Sequence, residues 1–340
     1  MEETAMKKLT VDLVGNIGEE GGIGNYSTKL YYALKDNENL EIRKKEYRLK
    51  SPFSQPILQN FFESPLKLFQ TNADIIHFTD QEQAAGIFFI PEKYLQNTVV
   101  TVHDISPYVN SYSGPVTSVL SKLYVMALKK VGKIIAISEF TKSELTEHLD
   151  ISEEKIEVIY QGIDQDQFSP REENKEILKK YGIEKPYVIY VGSEINRKNI
   201  RGNLEEYKEL RKKNPDLKLV KVGDSGRKKY REKTLQHIED MGLEEGEDII
   251  FTGFVTEEEL PYIYSMAEAN LLFSHYEGFG RTALEAEACG TPTLTYKKPP
   301  MNEYLPEDRF KLHLNQKGSP KIQGWEESVM QTLKIYEKLK

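Results

Sequence analysis

Cysteine is all but absent from this chain of 340 residues: Cys289 is the only one. That count excludes an intramolecular disulfide and a thiolate metal cage. Cys289 itself sits in an Ala-rich apolar stretch and reads as a small core residue. Long hydrophobic runs are missing too, since none reaches the roughly 18 residues of a membrane span. The first residues, Met1 to Lys8, carry acids where a secretory leader would carry bases. There is no basic excess either. Lys and Arg number 46 against 54 Asp and Glu, a formal charge of −8, and a nucleic-acid binder would need a basic surface. No nucleic-acid partner is expected, and the expected location is cytoplasmic.

Familiar catalytic signatures are also lacking. There is no P-loop and no G-x-S-x-G elbow. No His or carboxylate cluster has metal-ligand spacing. Asp164-Gln165-Asp166 has the form of an acidic triplet that could hold a divalent metal, but it opens a polar stretch and reads as a turn with solvated acids. No metal is expected.

What the chain does have is a steady alternation of short apolar runs and longer helical patterns, the signature of parallel β/α units. Its length calls for two domains. Strands are expected at 9–14, 41–47, 75–78, 99–102, 133–137 and 156–159. After a polar stretch, a second series is expected at 187–191, 218–222, 248–252, 270–274 and 293–296. Helical patterns lie at 25–34, 116–131, 139–149, 199–213, 228–241, 257–267 and 282–289. Ser138 precedes one of them as a cap, and Thr256 with Glu259 has the capping-box spacing. A final amphipathic helix spans 325–339. The fold class is α/β: two Rossmann-like β/α/β domains, residues 1–165 and 166–322, with the helix in 323–340 packing back on the first.

Several constellations fall at the carboxyl ends of the expected strands, where doubly wound sheets bind ligands. Gly21-Gly22-Ile23-Gly24-Asn25 follows the first strand, but the third glycine of a dinucleotide fingerprint is missing, so close backbone approach to phosphate or sugar is the better reading. Thr101-Val102-His103-Asp104 ends another strand; a neutral His103 there can bond a sugar hydroxyl or carry a proton. His77 holds a similar position. Gly192-Ser193-Glu194-Ile195-Asn196-Arg197-Lys198-Asn199 places two cations at the start of a helix, where the dipole disfavours them and a departing diphosphate would explain them. Gly223 to Gly226 and Gly253-Phe254-Val255 end the next two strands.

The most informative stretch is Glu277-Gly278-Phe279-Gly280-Arg281-Thr282-Ala283-Leu284-Glu285. Strand, glycine loop and helix N-terminus make a place for anions, while the two carboxylates suit hydroxyls. A ligand carrying both phosphates and sugars is indicated; a solvated helix acid and a capping acid are the plainer alternative.

In this order, the pieces resemble the GT-B glycosyltransferases of the retaining family 4. The resemblance runs from Gly21 to Pro292 and is sharpest at Ala136-Ile137-Ser138-Glu139-Phe140-Thr141-Lys142-Ser143, Gly192–Asn199 and Glu277–Glu285. It implies two domains facing a cleft, acceptor on the first and nucleotide-sugar donor, UDP- or GDP-linked, on the second. Glu285 would bind the ribose hydroxyls and Glu277 those of the donor sugar. Gly280, Arg281 and Thr282 would offer backbone N–H groups, and Arg197 and Lys198 would hold the diphosphate. Gly22 and Gly24 would close over it, His103 would contact the sugar near the reacting carbon, and the backbone from Gly253 to Val255 would meet the base. Transfer would proceed with retention and no required cofactor, to a carbohydrate or lipid-linked acceptor. Two departures stand out: Ser193 replaces an arginine common among relatives, and the segment after Pro292 is short. An epimerase or phosphorylase on this scaffold, or a non-catalytic subunit, is the alternative. Phe53, Ile57, Leu58, Phe61, Phe62, Leu66, Leu68 and Phe69 follow the bases Arg43, Lys44, Lys45, Arg48 and Lys50; they read either as a surface for peripheral contact at the cytoplasmic membrane face or as an ordinary core helix.

Overall fold

The computed structural model describes residues 8–18, 22–45, 71–81, 87–88, 90–106, 126–310 and 320–340. Gly21, Arg48, Lys50, the apolar series Phe53 to Phe69 and most of the helix expected at 116–131 lie outside the described residues. The chain divides into two compact units, Met1–Gln161 with Trp325–Lys340, and Gly162–Gly324. Each contains one parallel sheet, the α/β architecture expected from the alternation.

In the first unit the strands are β1 (Leu9–Val14), β2 (Leu40–Lys45), β3 (Ile75–Phe78), β4 (Thr98–Val102), β5 (Lys133–Ala136) and β6 (Ile156–Val158). Their order is β2-β1-β3-β4-β5-β6, with every pair parallel. Parallel strands are covered on both faces, so they need apolar residues throughout. β1, β3 and β4 are buried along their whole length. Because successive side chains point to opposite faces, Ile76, Val100 and Ile134 join one cluster while Ile75, Val99 and Ile135 join another. The second cluster is closed by the helix Trp325–Leu339, whose buried stripe of Ser328, Val329, Thr332, Ile335 and Tyr336 follows the helical period. Each large apolar side chain buried there contributes about 1.5–3 kcal/mol.

The second unit holds β7 (Tyr187–Val191), β8 (Lys218–Val222), β9 (Ile249–Gly253), β10 (Asn270–Leu271) and β11 (Thr293–Leu294). Their order is β11-β10-β7-β8-β9. The chain winds outward from β7 through β8 to β9, then crosses back to place β10 on the other side of β7. That reversal is a topological switch point, and the loops after β7 and β10 leave the sheet side by side.

Three local expectations are corrected. The first helix begins at Gly22, so Gly22 and Gly24 are helical and not part of a free loop. The helix expected at 257–267 is Leu260–Ser265. That helix starts after Glu259 with no side-chain cap, and the Glu259 carboxylate accepts from Lys180 Nζ at 2.8 Å and the Tyr181 hydroxyl at 2.6 Å. β10 stops at Leu271, and soon after it side chains replace strand partners: the Phe273 N–H donates to Asn203 Oδ1 at 3.0 Å and its carbonyl accepts from Asn199 Nδ2 at 2.8 Å. The Ser138 cap is present, with Oγ accepting from the Thr141 N–H at 3.0 Å.

Candidate functional site

The switch point of the second unit gathers most of the expected residues. Asn196–Lys198 forms one 3-10 turn, and Asn199, left-handed at φ 48°, caps the helix Ile200–Arg211 through a side-chain bond to the Gly202 N–H. Arg197 and Lys198 therefore precede the helix cap. They do not sit in the first helical turn, and the opposing-dipole argument does not apply to them. Their charge is answered instead by Glu277. Lys198 Nζ lies 2.7 and 2.9 Å from the two Glu277 carboxylate oxygens, and Arg197 reaches the second at 3.7 Å. Ser274 Oγ donates to the first at 2.7 Å. Glu277 is only 8% exposed. Burial alone raises its pKa, but Lys198 and Arg197 outweigh burial and hold it below the usual carboxylate range. It is an ionised, acceptor-only group.

The backbone keeps these groups in register. The His275 N–H donates to the Arg197 carbonyl at 2.8 Å, joining the two loops. Gly280, at φ +83°, caps the helix Arg281–Ala288; a Cβ there would run into the Met301 side chain and the Tyr304 hydroxyl. That left-handed conformation favours glycine. The Tyr304 hydroxyl donates to the Phe279 carbonyl and so braces the loop from the short helix Met301–Tyr304. On the helix, Glu285 is buried and meets Arg281 Nε at 2.8 Å. Thr282 occupies the same first turn.

Glu194 anchors the loop after β7. Its fully buried carboxylate takes Arg231 through two nitrogens at 2.7 to 3.2 Å and Lys221 Nζ at 3.2 Å. The Arg231 guanidinium also stacks on Phe251, 3.8 Å from the ring centroid. Ser193 uses its carbonyl to accept from the Tyr190 hydroxyl at 2.7 Å. At the end of β9, the Gly253 carbonyl accepts from the Gly223 N–H at 2.7 Å; Phe254 is 62% exposed and Val255 is buried.

In the first unit, the His103 ring is held at both nitrogens. Nε2 lies 2.8 Å from the Thr79 carbonyl, which can only accept, so Nε2 carries the proton. Nδ1 then accepts from Gln161 Nε2 at 2.8 Å. This fixes a neutral tautomer. His77 behaves differently from the expectation drawn for it. It is fully buried, 2.5 Å from the Tyr336 hydroxyl and 2.9 Å from Thr101 Oγ1, and burial pushes its pKa down to about 3. It is part of the core that receives the last helix. Asp164 Oδ1 caps a turn by accepting from the Gln167 N–H at 3.2 Å.

Sequence reasoning missed Ser274, Tyr304, Gln161 and the Glu194 cluster. Gln161 lies three residues before the Asp164-Gln165-Asp166 triplet and carried no signal of its own. Ser274, three residues before Glu277, was visible as a hydroxyl ending an expected strand, whereas nothing in the sequence ties Tyr304 to Phe279.

Comparison with known proteins places this geometry among relatives. The family profile described as Glycosyl transferases group 1 matches residues 171–338, and that described as Glycosyltransferase Family 4 matches residues 25–167. The O-antigen chain mannosyltransferase B of Escherichia coli is 32% identical over 216 residues, which is 61% of this chain and 54% of that protein. Mannosylfructose-phosphate synthase of Agrobacterium fabrum is 29% identical over 168 residues, 47% of this chain and 37% of that protein. The chain thus spans about half or less of the length of these curated relatives. Among solved structures, sucrose-phosphate synthase from Thermosynechococcus elongatus superposes with a TM-score of 0.73 at 16% identity, covering 98% of this chain and 99% of that one. Anabaena HepE in complex with UDP-glucose gives 0.69 at 17%, covering 97% and 90%. At such identities these likenesses bear on the fold alone, and the fold they share is GT-B.

Proposed function

This chain belongs to the family 4 glycosyltransferases of GT-B fold, and on that premise we propose that it is a retaining hexosyltransferase using a UDP- or GDP-linked sugar. The observation that carries the reading is the buried Glu277–Lys198 pair at 2.7 Å beside the glycine-capped helix that bears Glu285. Anion-binding and hydroxyl-binding groups stand together at one switch point, which suits a sugar diphosphate. Relatives named as mannosyltransferases support transfer of a hexose, and a neighbour bound to UDP-glucose supports a nucleotide-sugar donor.

Arg197 and Lys198 act on the leaving diphosphate. As the bond between the anomeric carbon and the phosphate oxygen breaks, negative charge grows on that oxygen; each well-placed donor there is worth about 3 kcal/mol of transition-state stabilisation. The acceptor oxygen bonds to the same carbon on the same face, and its proton passes to the departing phosphate oxygen. No metal is required in this scheme. Glu277 stays ionised beside its cations and accepts from donor-sugar hydroxyls, and Glu285 accepts from the ribose. Gly280, Arg281 and Thr282 supply N–H groups, and the Gly253–Val255 backbone meets the base. In the first unit, which binds a carbohydrate or lipid-linked acceptor, His103 serves as a neutral ring oriented by Gln161, and Gly22 and Gly24 lie at the start of the first helix for close backbone approach. The protein works in the cytoplasm, with peripheral membrane contact where the acceptor is lipid-linked.

The test is a calorimetric screen of UDP- and GDP-sugars, followed by NMR of the product's anomeric configuration. One class of donor binds the wild type and Glu285→Ala loses it, and the product keeps the donor's configuration. Inversion removes the retaining assignment. Donor isomerisation without acceptor makes the protein an epimerase, and dependence on inorganic phosphate makes it a phosphorylase.

A further inference from the structure

The loop after β11 brings a lysine that no part of the reading above uses. Lys298 is half-buried, and its ammonium donates to the His275 carbonyl at 2.8 Å. His275 in turn donates its N–H to the Arg197 carbonyl. One residue's backbone thus ties Lys298 to the loop that carries Arg197 and Lys198. The Tyr296 ring also stands against the ammonium, 5.5 Å away at its centroid. Neither a carbonyl nor a ring neutralises the charge, and among the described residues no carboxylate lies within ion-pair distance of it.

Charge counting shows why this is unusual. Glu277 is the carboxylate whose field reaches Lys298, and it already has Lys198 and Arg197 as partners. Two cations therefore pair with that carboxylate, while Lys298, tied to the same loop through His275, has no carboxylate partner among the described residues. Burying an unpaired ammonium is unfavourable, and burial does push the Lys298 pKa below the ordinary lysine range. A fold that keeps such an excess without a ligand loses stability by it. An anion with more than one negative charge would balance it.

We infer that Lys298 is a third cation of the donor site and takes an oxygen of the terminal phosphate of a nucleoside diphosphate. The inference rests on the donor reading proposed above and adds to it a residue from a different loop. It also gives the short segment after Pro292 a ligand-binding part in the site.

Titration calorimetry with UDP, GDP and the corresponding monophosphates tests this on four proteins: wild type, Lys298→Met, Lys298→Arg and Lys198→Met. Lys298→Met should weaken the preferred diphosphate roughly tenfold, the loss of one charge-assisted contact, while monophosphate binding stays within about twofold. Lys298→Arg should recover most of the loss. Two results overturn the inference and leave the donor reading intact: diphosphate affinity unchanged in Lys298→Met but lost in Lys198→Met, or mono- and diphosphate weakened alike, which marks Lys298 as a brace for His275 only. If the wild type binds neither diphosphate, the donor reading fails first and this inference falls with it.

Discussion

Removing Lys198 should destabilise the second unit through the carboxylate it leaves behind. Glu277 is 8% exposed and keeps only Ser274 Oγ at 2.7 Å and Arg197 at 3.7 Å once the lysine has gone. Breaking a buried pair by deleting one partner typically costs about 3–5 kcal/mol. Arg197 still offsets part of that, so Lys198→Met should cost about 2–3 kcal/mol. In a Lys198→Met background, Glu277→Gln should return more than 1 kcal/mol, because it removes the stranded charge. The coupling has a pH signature. A carboxylate held below its ordinary pKa contributes stability that is full above the unfolded value, about 4.3, and is lost as pH falls through the folded value. The gap between wild type and Lys198→Met should therefore be widest near pH 7 and shrink below about pH 4. Urea unfolding followed by circular dichroism is the assay. Tryptophan fluorescence would mislead, since the sole tryptophan, Trp325, belongs to the first unit. Additivity of the two substitutions within about 0.5 kcal/mol, or a gap that does not change with pH, would refute the reasoning.

Other substitutions separate support from contact. Gly280→Ala should lower the melting temperature and abolish donor binding together, because the methyl group meets Met301 and φ is +83°; a variant with wild-type donor affinity contradicts this. Tyr304→Phe deletes the bond to the Phe279 carbonyl and should cost about 1 kcal/mol, with steady-state kinetics showing a higher donor KM and little change in kcat. His77 gives a second pH test. Its pKa is pushed down to about 3 by burial, so the unfolded chain binds a proton that the folded chain refuses between pH 6.5 and 3. Stability should fall with acidity across that window, by at most about 1.4 kcal/mol per pH unit from this group, and His77→Gln should flatten the slope in unfolding titrations.

Much of this architecture was legible because parallel sheets write themselves into sequence as unbroken apolar runs. β1, β3, β7 and β8 begin and end where they were expected, at Leu9–Val14, Ile75–Phe78, Tyr187–Val191 and Lys218–Val222. The helix Trp325–Leu339 was legible for a related reason, its apolar stripe recurring at the helical period. The strands of the second unit that failed to reach their expected ends, β10 and β11, belong to the edge of the site. There Phe273 carries strand-forming chemistry, but Asn199 and Asn203, some 70 residues earlier, take its backbone groups. No window of local sequence contains that competition. The same limit governed the charges. Arg197, Lys198 and Glu277 were each visible as chemistry-bearing residues, yet their roles were assigned separately, cations to phosphate and carboxylate to sugar. Folding places both cations 2.7 to 3.7 Å from the Glu277 carboxylate, so neither role is independent. A ligand that draws Lys198 toward phosphate weakens its hold on Glu277 and makes that carboxylate a better acceptor for a sugar hydroxyl. Binding of the two halves of the donor should accordingly be cooperative: Glu277→Gln should weaken a complete nucleotide sugar by more than it weakens the nucleoside diphosphate alone, and equal weakening in calorimetry would show that the pair is only a structural clasp.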